Sequence, residues 1–533
     1  MDFPLTLRSM LERGEKLFPK KEIVSRTPSG IHRYTYADYG RRARRLSSAL
    51  QSLGVKSGDR VATFAWNNHR HLEAYFAVPC MGAVLHTVNI RLSPEHISYI
   101  INHAGDKVVL VDEDLVPLLE NVKDQLDTVT AYIVMSDKEE LPPTSLSPVY
   151  SYEDLLQQGD PGFAYPENLD ENSPMGMCYT SATTGNPKGV VYSHRGIFLH
   201  SLCIGLTDTL GLSERDSCLP VVPMFHANAW GLPFGAVWYG TKLVLPGPGP
   251  TPDVLLGLIE QEKVTLAAGV PTVWLGLLKS MEAGEHDTSS LRAVVCGGSA
   301  APRDMIKTFE TKYNIPFLHA YGMTETAPVA LVSRLKSYQE EWDADARLDA
   351  QAKQGLLAPG LEMKVVGEKG EVRWDGQEMG ELLLRGPWIA DSYYNDDRSQ
   401  ATFSDGWLHT GDVATVDEEG FVKLVDRMKD LIKSGGEWIS SVDLENAIMA
   451  HPAVFEASVI GVPHPKWQER PVACVVLKEG SEVSEQELRD FLADKFAKWW
   501  IPDRVVFMDK IPKTSVGKFL KRAMREMLKD TFA

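Results

Sequence analysis

Between Tyr179 and Val190 the chain reads Tyr-Thr-Ser-Ala-Thr-Thr-Gly-Asn-Pro-Lys-Gly-Val. Four hydroxyl side chains (Thr180, Ser181, Thr183, Thr184), two glycines (Gly185, Gly189) and Lys188 are packed into this short segment. That set suits a polyphosphate. Hydroxyls and unhindered backbone N–H groups donate to the oxygens, and a cation offsets their charge. The segment does not end in Gly-Lys-Ser/Thr, so it is not a Walker A loop. Ordinary P-loop nucleotide hydrolysis is therefore excluded, and a different nucleotide chemistry is left to identify. A plain polar turn between a strand and a helix would have a similar composition, so the rest of the chain must decide.

Such a loop has to be held by rigid elements. Met175–Tyr179 before it reads as a buried strand. The first four hundred residues alternate helix-like and strand-like segments: a helical period over 41–53 that stops at Gly54, an apolar run over 60–65, a helical stretch to Met81, and a strand over 83–86. Runs at 107–112, 241–245 and 291–296 repeat the pattern. Short β-rich runs separated by helices predict βαβ units and mostly parallel sheets. The Pro246–Pro250 cluster is expected to be a turn, since strong structure flanks it. From Asp417 the texture changes. A strand over 420–426 leads into a polar hinge, and the residues after it read as a compact α+β unit. A helix over 442–450 is capped by Ser440, and strands follow over 457–461 and 472–477. A Ser484-x-x-Glu487 capping box opens a helix with Leu488, Phe491, Leu492 and Phe496 on one face. The expected domains are 1–426 and 427–533.

The length, 533 residues, exceeds what one ordinary core holds. The composition, 44% hydrophobic and 24% charged, is that of a globular protein without membrane spans. A formal net charge of −17 argues against nucleic acid as a partner, so any site for phosphates must be locally positive. The six scattered cysteines form no C-x-x-C pair, which points to a reducing compartment with neither zinc nor a disulfide framework. The N-terminus lacks the order of a signal peptide, and no apolar run reaches membrane-spanning length. A cytoplasmic location is expected.

The 179–190 segment resembles the phosphate-binding signature of the adenylate-forming superfamily of acyl-CoA synthetases, adenylation domains and luciferases. Four further motifs follow in that family's order: Tyr321-Gly-Met-Thr-Glu-Thr326; Gly406-Trp-Leu-His-Thr-Gly-Asp412; Asp426-Arg-Met-Lys-Asp-Leu-Ile-Lys-Ser-Gly-Gly-Glu-Trp-Ile-Ser440; and Pro512-Lys-Thr-Ser-Val-Gly-Lys518. Ala182 departs from the family, which usually has Gly there. The resemblance implies an α/β adenylate-forming fold, with a large N-terminal domain of αβ subdomains, a smaller mobile α+β C-terminal domain, and the site between them. It also implies the chemistry. A carboxylate attacks the α-phosphorus of ATP, pyrophosphate leaves, and a thiol then takes the acyl group. Positive charge and oriented donors must offset the repulsion between anions, and water must be kept from the mixed anhydride.

On this resemblance Thr180, Ser181, Thr183, Thr184, Gly185 and Lys188 would hold the β- and γ-phosphates, with Thr180 and Glu325 at Mg2+. Thr324 would touch the α-phosphate. Tyr321, flanked by Ala320 and Gly322, would lie against adenine, opposite Gly298, Ser299 and Ala300. Asp412 would accept both ribose hydroxyls, and Arg427 would contact ribose or phosphate through its guanidinium fork. Lys429 falls at the hinge where the small domain turns between an adenylating and a thioester-forming pose. Lys433, Gly435, Gly436 and Trp438 belong to the segment that lines the pantetheine channel of CoA. Lys518 is the expected adenylation catalyst, bridging the acyl carboxylate and the α-phosphate.

Pro223-Met-Phe-His-Ala-Asn-Ala-Trp-Gly231 bears on the acid. His226 would sit between the nucleotide and acyl sites, and Ala227, Trp230 and Gly231 would border the acyl chain. No acidic residue is present there to receive an amino group, so an apolar acyl chain is expected. The texture is similar to bacterial medium- and long-chain fatty acid–CoA ligases. Ligases for 3-methylmercaptopropionate share the Trp-Asn-Asn, Met-Phe-His and Gly-Asn-Pro-Lys-Gly features. A standalone adenylation enzyme loading a carrier-protein thiol, a light-emitting oxygenase and a non-catalytic nucleotide binder are the alternatives. The last conflicts with the presence of Glu325, Asp412 and Lys518. A homodimer is compatible with the resemblance.

Overall fold

The computed structural model describes residues 3–180, 185–435, 437–514 and 518–532. A seven-stranded sheet carries the 179–190 segment. Its strands, from one edge, are Val149–Ser151, Ala131–Met135, Asp106–Asp112, Arg60–Phe64, Val84–Thr87, β1 (Pro174–Tyr179) and β2 (Gly189–Ser193). Neighbours are parallel except β1 and β2, which form an antiparallel pair across the loop. The central strands are buried along nearly their whole length, as expected where helices cover both faces of a parallel sheet. Helix α1 (Tyr36–Ser52) opens on a Thr35–Asp38 capping box and ends before Gly54, whose φ is +84°.

A nine-stranded sheet packs beside it. Most of its pairs are parallel, and it ends in β3 (Phe317–Gly322), β4 (Val329–Val332) and Leu356–Leu357, which pair antiparallel. A third, antiparallel sheet contains β5 (Trp407–Val416) and β6 (Val422–Arg427) as neighbours. The fourth sheet begins with the hairpin β7 (Ile432–Ser434) and β8 (Glu437–Ile439) and contains Val454–His464, Gln468–Leu477 and Arg504–Phe507. Helix α2 (Ser441–Met449) is capped by Ser440, whose Oγ accepts from Asp443 N at 3.1 Å. Helix α3 (Glu485–Ala493) has both halves of its Ser484–Glu487 box. Leu488 and Leu492 are buried with Leu444, Ile448, Val459 and Val475 in a core separate from those of the large sheets. Phe496 lies past the end of α3 and stacks on Trp500 at 5.5 Å, so it continues the apolar face without continuing the helix.

The chain thus leaves the third sheet at Arg427 and enters the fourth at Ile432. A short turn links the two bodies along the chain, and Ser440 Oγ donating to Val425 O at 2.7 Å, Ser441 N donating to Asp426 Oδ2 at 2.9 Å and the Lys423–Asp443 ion pair at 2.7 Å hold them together. The six cysteines are all buried. Among the described residues no helix is long and apolar enough to cross a membrane.

Candidate active site

The loop expected to bind phosphate leaves β1 and returns into β2, and its neck is tied at both ends. Thr180 N donates to Lys188 O at 2.9 Å, and Lys188 N donates to Thr180 Oγ1 at 3.1 Å. Gly185 sits at φ +69°, a conformation only glycine adopts at no steric cost. Ser181, Ala182, Thr183 and Thr184 lie outside the described residues. Lys188 Nζ donates to Tyr393 Oη at 2.8 Å, and that hydroxyl donates to Glu325 Oε1 at 2.6 Å. Desolvation lowers the lysine from its ordinary value, and Glu325 opposes the shift.

Glu325 is buried in a short 3-10 turn, Thr324–Thr326, fixed from several sides. Tyr192 Oη donates to Thr324 O at 2.8 Å, Ala390 N to Glu325 O at 2.8 Å, and Met323 N to Thr326 Oγ1 at 2.9 Å. Beside the turn, Tyr321 ends β3. Its hydroxyl donates to Asp412 Oδ2 at 2.6 Å, and Arg427 Nε meets Asp412 Oδ1 at 2.7 Å. Asp412 and Arg427 are register partners on β5 and β6, which explains why two residues far apart in sequence form one ion pair. Asp412 holds the Arg427 guanidinium above its ordinary range. The Arg427 side chain keeps 43% of its surface open because it faces a cavity rather than bulk solvent.

Lys518 reaches the same cavity from the C-terminal body. Its stem passes Gly298, where a Cβ would stand 3.8 Å from Lys518 Cε, and Gly298 has φ +84°. Thr514 Oγ1 accepts from Lys518 N at 3.1 Å and fixes the backbone. Burial and then Arg427 push the Lys518 ammonium down to about 8, with Asp412 and Glu325 pulling the other way. His226 is pushed down to about 3 by burial, then by Lys518 and Arg91. It is therefore a neutral imidazole at neutral pH.

After His226 the chain makes a left-handed turn. Ala227, Asn228, Ala229 and Trp230 have φ of 42°, 52°, 48° and 59°, and Gly231 follows at 74°. For side chains with a Cβ this costs roughly 1–2 kcal/mol per residue, so the turn needs external support. Asn228 Nδ2 donates to Tyr75 Oη at 3.2 Å, and that hydroxyl donates to Met224 O at 2.5 Å. Asn67 accepts from Met224 N at 2.7 Å and donates to Pro220 O and Val222 O. The result presents Trp230 against Gly297, where a Cβ would come within 3.2 Å of the indole.

These groups share one cavity of about 540 Å³. Thr180, Lys188, His226, Ala227, Trp230, Gly298, Ser299, Ala300, Ala320, Tyr321, Gly322, Thr324, Glu325, Asp412, Arg427, Lys429 and Lys518 all line it. Leu210, Leu275, Val295 and Val329 give one side an apolar wall. Lys188, Arg398, Arg427, Lys429, Lys518 and Lys521 line it together with Glu325, Asp412, Asp426, Asp430, Glu445 and Glu456, so the expected locally positive site is instead one in which cations and carboxylates balance.

Five expected residues are placed elsewhere. Gly231 turns the chain and packs on His200, with a Cβ position 2.6 Å from that ring. Gly185 is exposed on the loop, where a Cβ would stand 4.0 Å from Arg398 Nη1. Lys433, Gly435 and Trp438 sit on the β7–β8 hairpin, outside the cavity. Lys433 covers the exposed Trp438 ring at 4.4 Å, and Gly435 backs onto Trp467. Gly436 lies outside the described residues. Tyr321 spends its hydroxyl on Asp412 as well as lending a ring face. Sequence reasoning missed Tyr393, Arg398 and the Asn67–Tyr75–Asn228 support. Only the Trp66-Asn67-Asn68 triplet carried a signal, as part of the likeness to known ligases.

Residues 11–394 match the AMP-binding enzyme family, and residues 443–518 match the AMP-binding enzyme C-terminal domain. The chain belongs to the AMP-binding enzymes. Among its curated relatives is the long-chain-fatty-acid–CoA ligase of Thermus thermophilus, 51% identical across 100% of this chain and 97% of the relative. The 3-methylmercaptopropionyl-CoA ligase of Ruegeria pomeroyi is 44% identical across 99% of this chain and 98% of its own. The crystal structure of the anthranilate CoA ligase AuaEII in complex with anthranoyl-AMP superposes with a TM-score of 0.89 at 25% identity. It covers 100% of this chain and 98% of that one. In this AMP-binding enzyme the family match breaks off between 394 and 443, the stretch that holds Asp412, Arg427 and the change of sheet.

Proposed function

We propose that this AMP-binding enzyme is an acid–thiol ligase that converts an apolar carboxylic acid to acyl-AMP and then to acyl-CoA, releasing pyrophosphate and AMP. The observation that carries the reading is the position of Lys518. The C-terminal body delivers a cation into a cleft that already holds Glu325, Asp412, Arg427 and His226. In the first half-reaction the acid lies along the Trp230 and Leu275 wall, with its carboxylate beside His226. Lys518 donates to the carboxylate and the α-phosphate as negative charge concentrates between them. Asp412 exchanges its bond from Tyr321 for the ribose hydroxyls, and Lys188 leaves Tyr393 for the phosphates. Glu325 and Thr180 offer a carboxylate and a hydroxyl, hard oxygen donors that fit Mg2+, and the ion bound there would neutralise phosphate charge.

The second half-reaction needs a different arrangement. We place the domain boundary in the turn between Arg427 and Ile432, with Lys429 as pivot. Rotation there withdraws Lys518 and brings the Gly435 hairpin with Trp438 and Lys433 to the cleft, where adjacent glycines let a narrow thiol arm pass. The relatives support a medium- to long-chain fatty acid. A short substituted acid such as 3-methylmercaptopropionate is the second reading, favoured by the 44% identity to a ligase of that name. Acids of increasing chain length, assayed by pyrophosphate release with CoA present, test the proposal. Free acyl-CoA and AMP are expected. Turnover only with a carrier-protein thiol, or ADP as product, would refute it.

A further inference from the structure

Lys188 and Glu325 carry opposite charges in one cavity, and between them stands a single hydroxyl. Tyr393 Oη accepts from Lys188 Nζ at 2.8 Å and donates to Glu325 Oε1 at 2.6 Å. The hydroxyl is held in place by its own segment. Tyr393 pairs with Val190 at the base of the phosphate loop, Tyr394 N donates to Gly189 O at 2.8 Å, and Tyr393 N donates to Ser399 Oγ at 2.9 Å. Phe403 packs edge-on against the ring at 5.0 Å. Five residues later Arg398 Nη1 donates to Asn186 O at 3.1 Å, so the segment grips the loop at a second point.

We infer that Tyr393 is a positioning residue that aims Glu325 at the metal–phosphate site and keeps Lys188 from collapsing onto it. Without the hydroxyl, the two charges would pair directly in a partly desolvated cavity. The cation meant for phosphate and the carboxylate meant for the metal would then cancel. With it, one carboxylate oxygen is tethered in a fixed direction, and Lys188 rests in a neutral berth that ATP can draw it from. A neighbour that fixes a ligand's orientation in this way commonly governs metal affinity. The inference rests on the proposed roles of Glu325 and Lys188.

The test titrates Mn2+ into the full-length protein with ATP but no acid or CoA, following the electron paramagnetic resonance signal of unbound Mn2+. Tyr393→Phe keeps the ring and its packing, so the melting temperature is expected to stay close to that of the parent. Mn2+ binding in the ATP complex is expected to weaken by about tenfold to a hundredfold, the worth of a hydrogen bond to a charged group. Tyr394→Phe, the neighbouring phenol, is expected to change neither. Combining Tyr393→Phe with Lys188→Met should cost less than the product of the two single effects, because they act through one interaction. Unchanged Mn2+ affinity in Tyr393→Phe, or independent effects in the double variant, would overturn the inference. Glu325→Gln separates the two levels. If it loses Mn2+ affinity while Tyr393→Phe does not, only the role of Tyr393 fails. If Glu325→Gln binds Mn2+·ATP normally, the reading of the site fails as well.

Discussion

Raising the pH should switch off adenylation through Lys518. Burial and Arg427 bring this ammonium from the ordinary 10.5 to about 8. At about 1.36 kcal/mol per pH unit, that is roughly 3 kcal/mol set against the charged form. In the proposed mechanism the charged form is the one that donates to the reacting oxygens. Below about 8 the group is protonated and the rate should be level; above it, each pH unit should cost about tenfold. The negative charge of bound ATP favours the ammonium, so the limb should lie at higher pH for kcat than for kcat/KM of ATP, which reports the enzyme before ATP binds. Lys518→Arg supplies a cation that does not titrate in this range. Its rate should be lower, because the fork differs in shape, but its profile should lack the limb. ATP–pyrophosphate exchange from pH 6.5 to 10 provides the assay. A limb near 8 that persists in Lys518→Arg, or a wild-type profile level to pH 10, would refute the reasoning.

Three further outcomes follow from the geometry. Gly435→Ala places a Cβ 2.9 Å from the Trp467 ring at φ +62°; it should spare pyrophosphate exchange and slow acyl transfer to CoA at least tenfold in single-turnover assays. Gly231→Ala forces a Cβ to 2.6 Å from the His200 imidazole at φ +74°. Left-handed strain and overpacking together should cost about 2–5 kcal/mol, read as a lower urea midpoint. Leu275→Phe fills part of the apolar wall, and an acid panel should show kcat/KM falling for the longer chains with little change for the shortest.

The sequence-level expectations held where a local rule decides the outcome. The strands at 60–64 and 106–112 have apolar centres rich in β-branched residues that suit a covered parallel strand, and Ser440 and Ser484 cap the helices their spacing predicts. Asp412 and Arg427 were readable as motif members, but not as partners, because their meeting depends on the register of β5 and β6. Tyr393 lies 205 positions from Lys188 in sequence, and nothing in Asp391-Ser-Tyr-Tyr-Asn signals that it folds back on a distant loop. The left-handed turn was hidden for the opposite reason. Alanine and tryptophan rarely adopt positive φ, so local propensity points away from the conformation that Asn67 and Tyr75 impose. The hairpin residues Lys433, Gly435 and Trp438 sit outside the cavity that Lys518 enters, and on the proposed reading a rotation of the C-terminal body would exchange the two.

The account stands on that lysine doing chemistry in the first half-reaction alone. Lys518→Ala, assayed for ATP–pyrophosphate exchange and separately for thioester formation from supplied acyl-AMP and CoA, tests this most directly. Exchange should fall by about a thousandfold, the scale of removing one oriented transition-state donor, while acyl transfer from the ready-made adenylate stays within a few-fold of wild type. Exchange at the wild-type rate with thioester formation lost would contradict it.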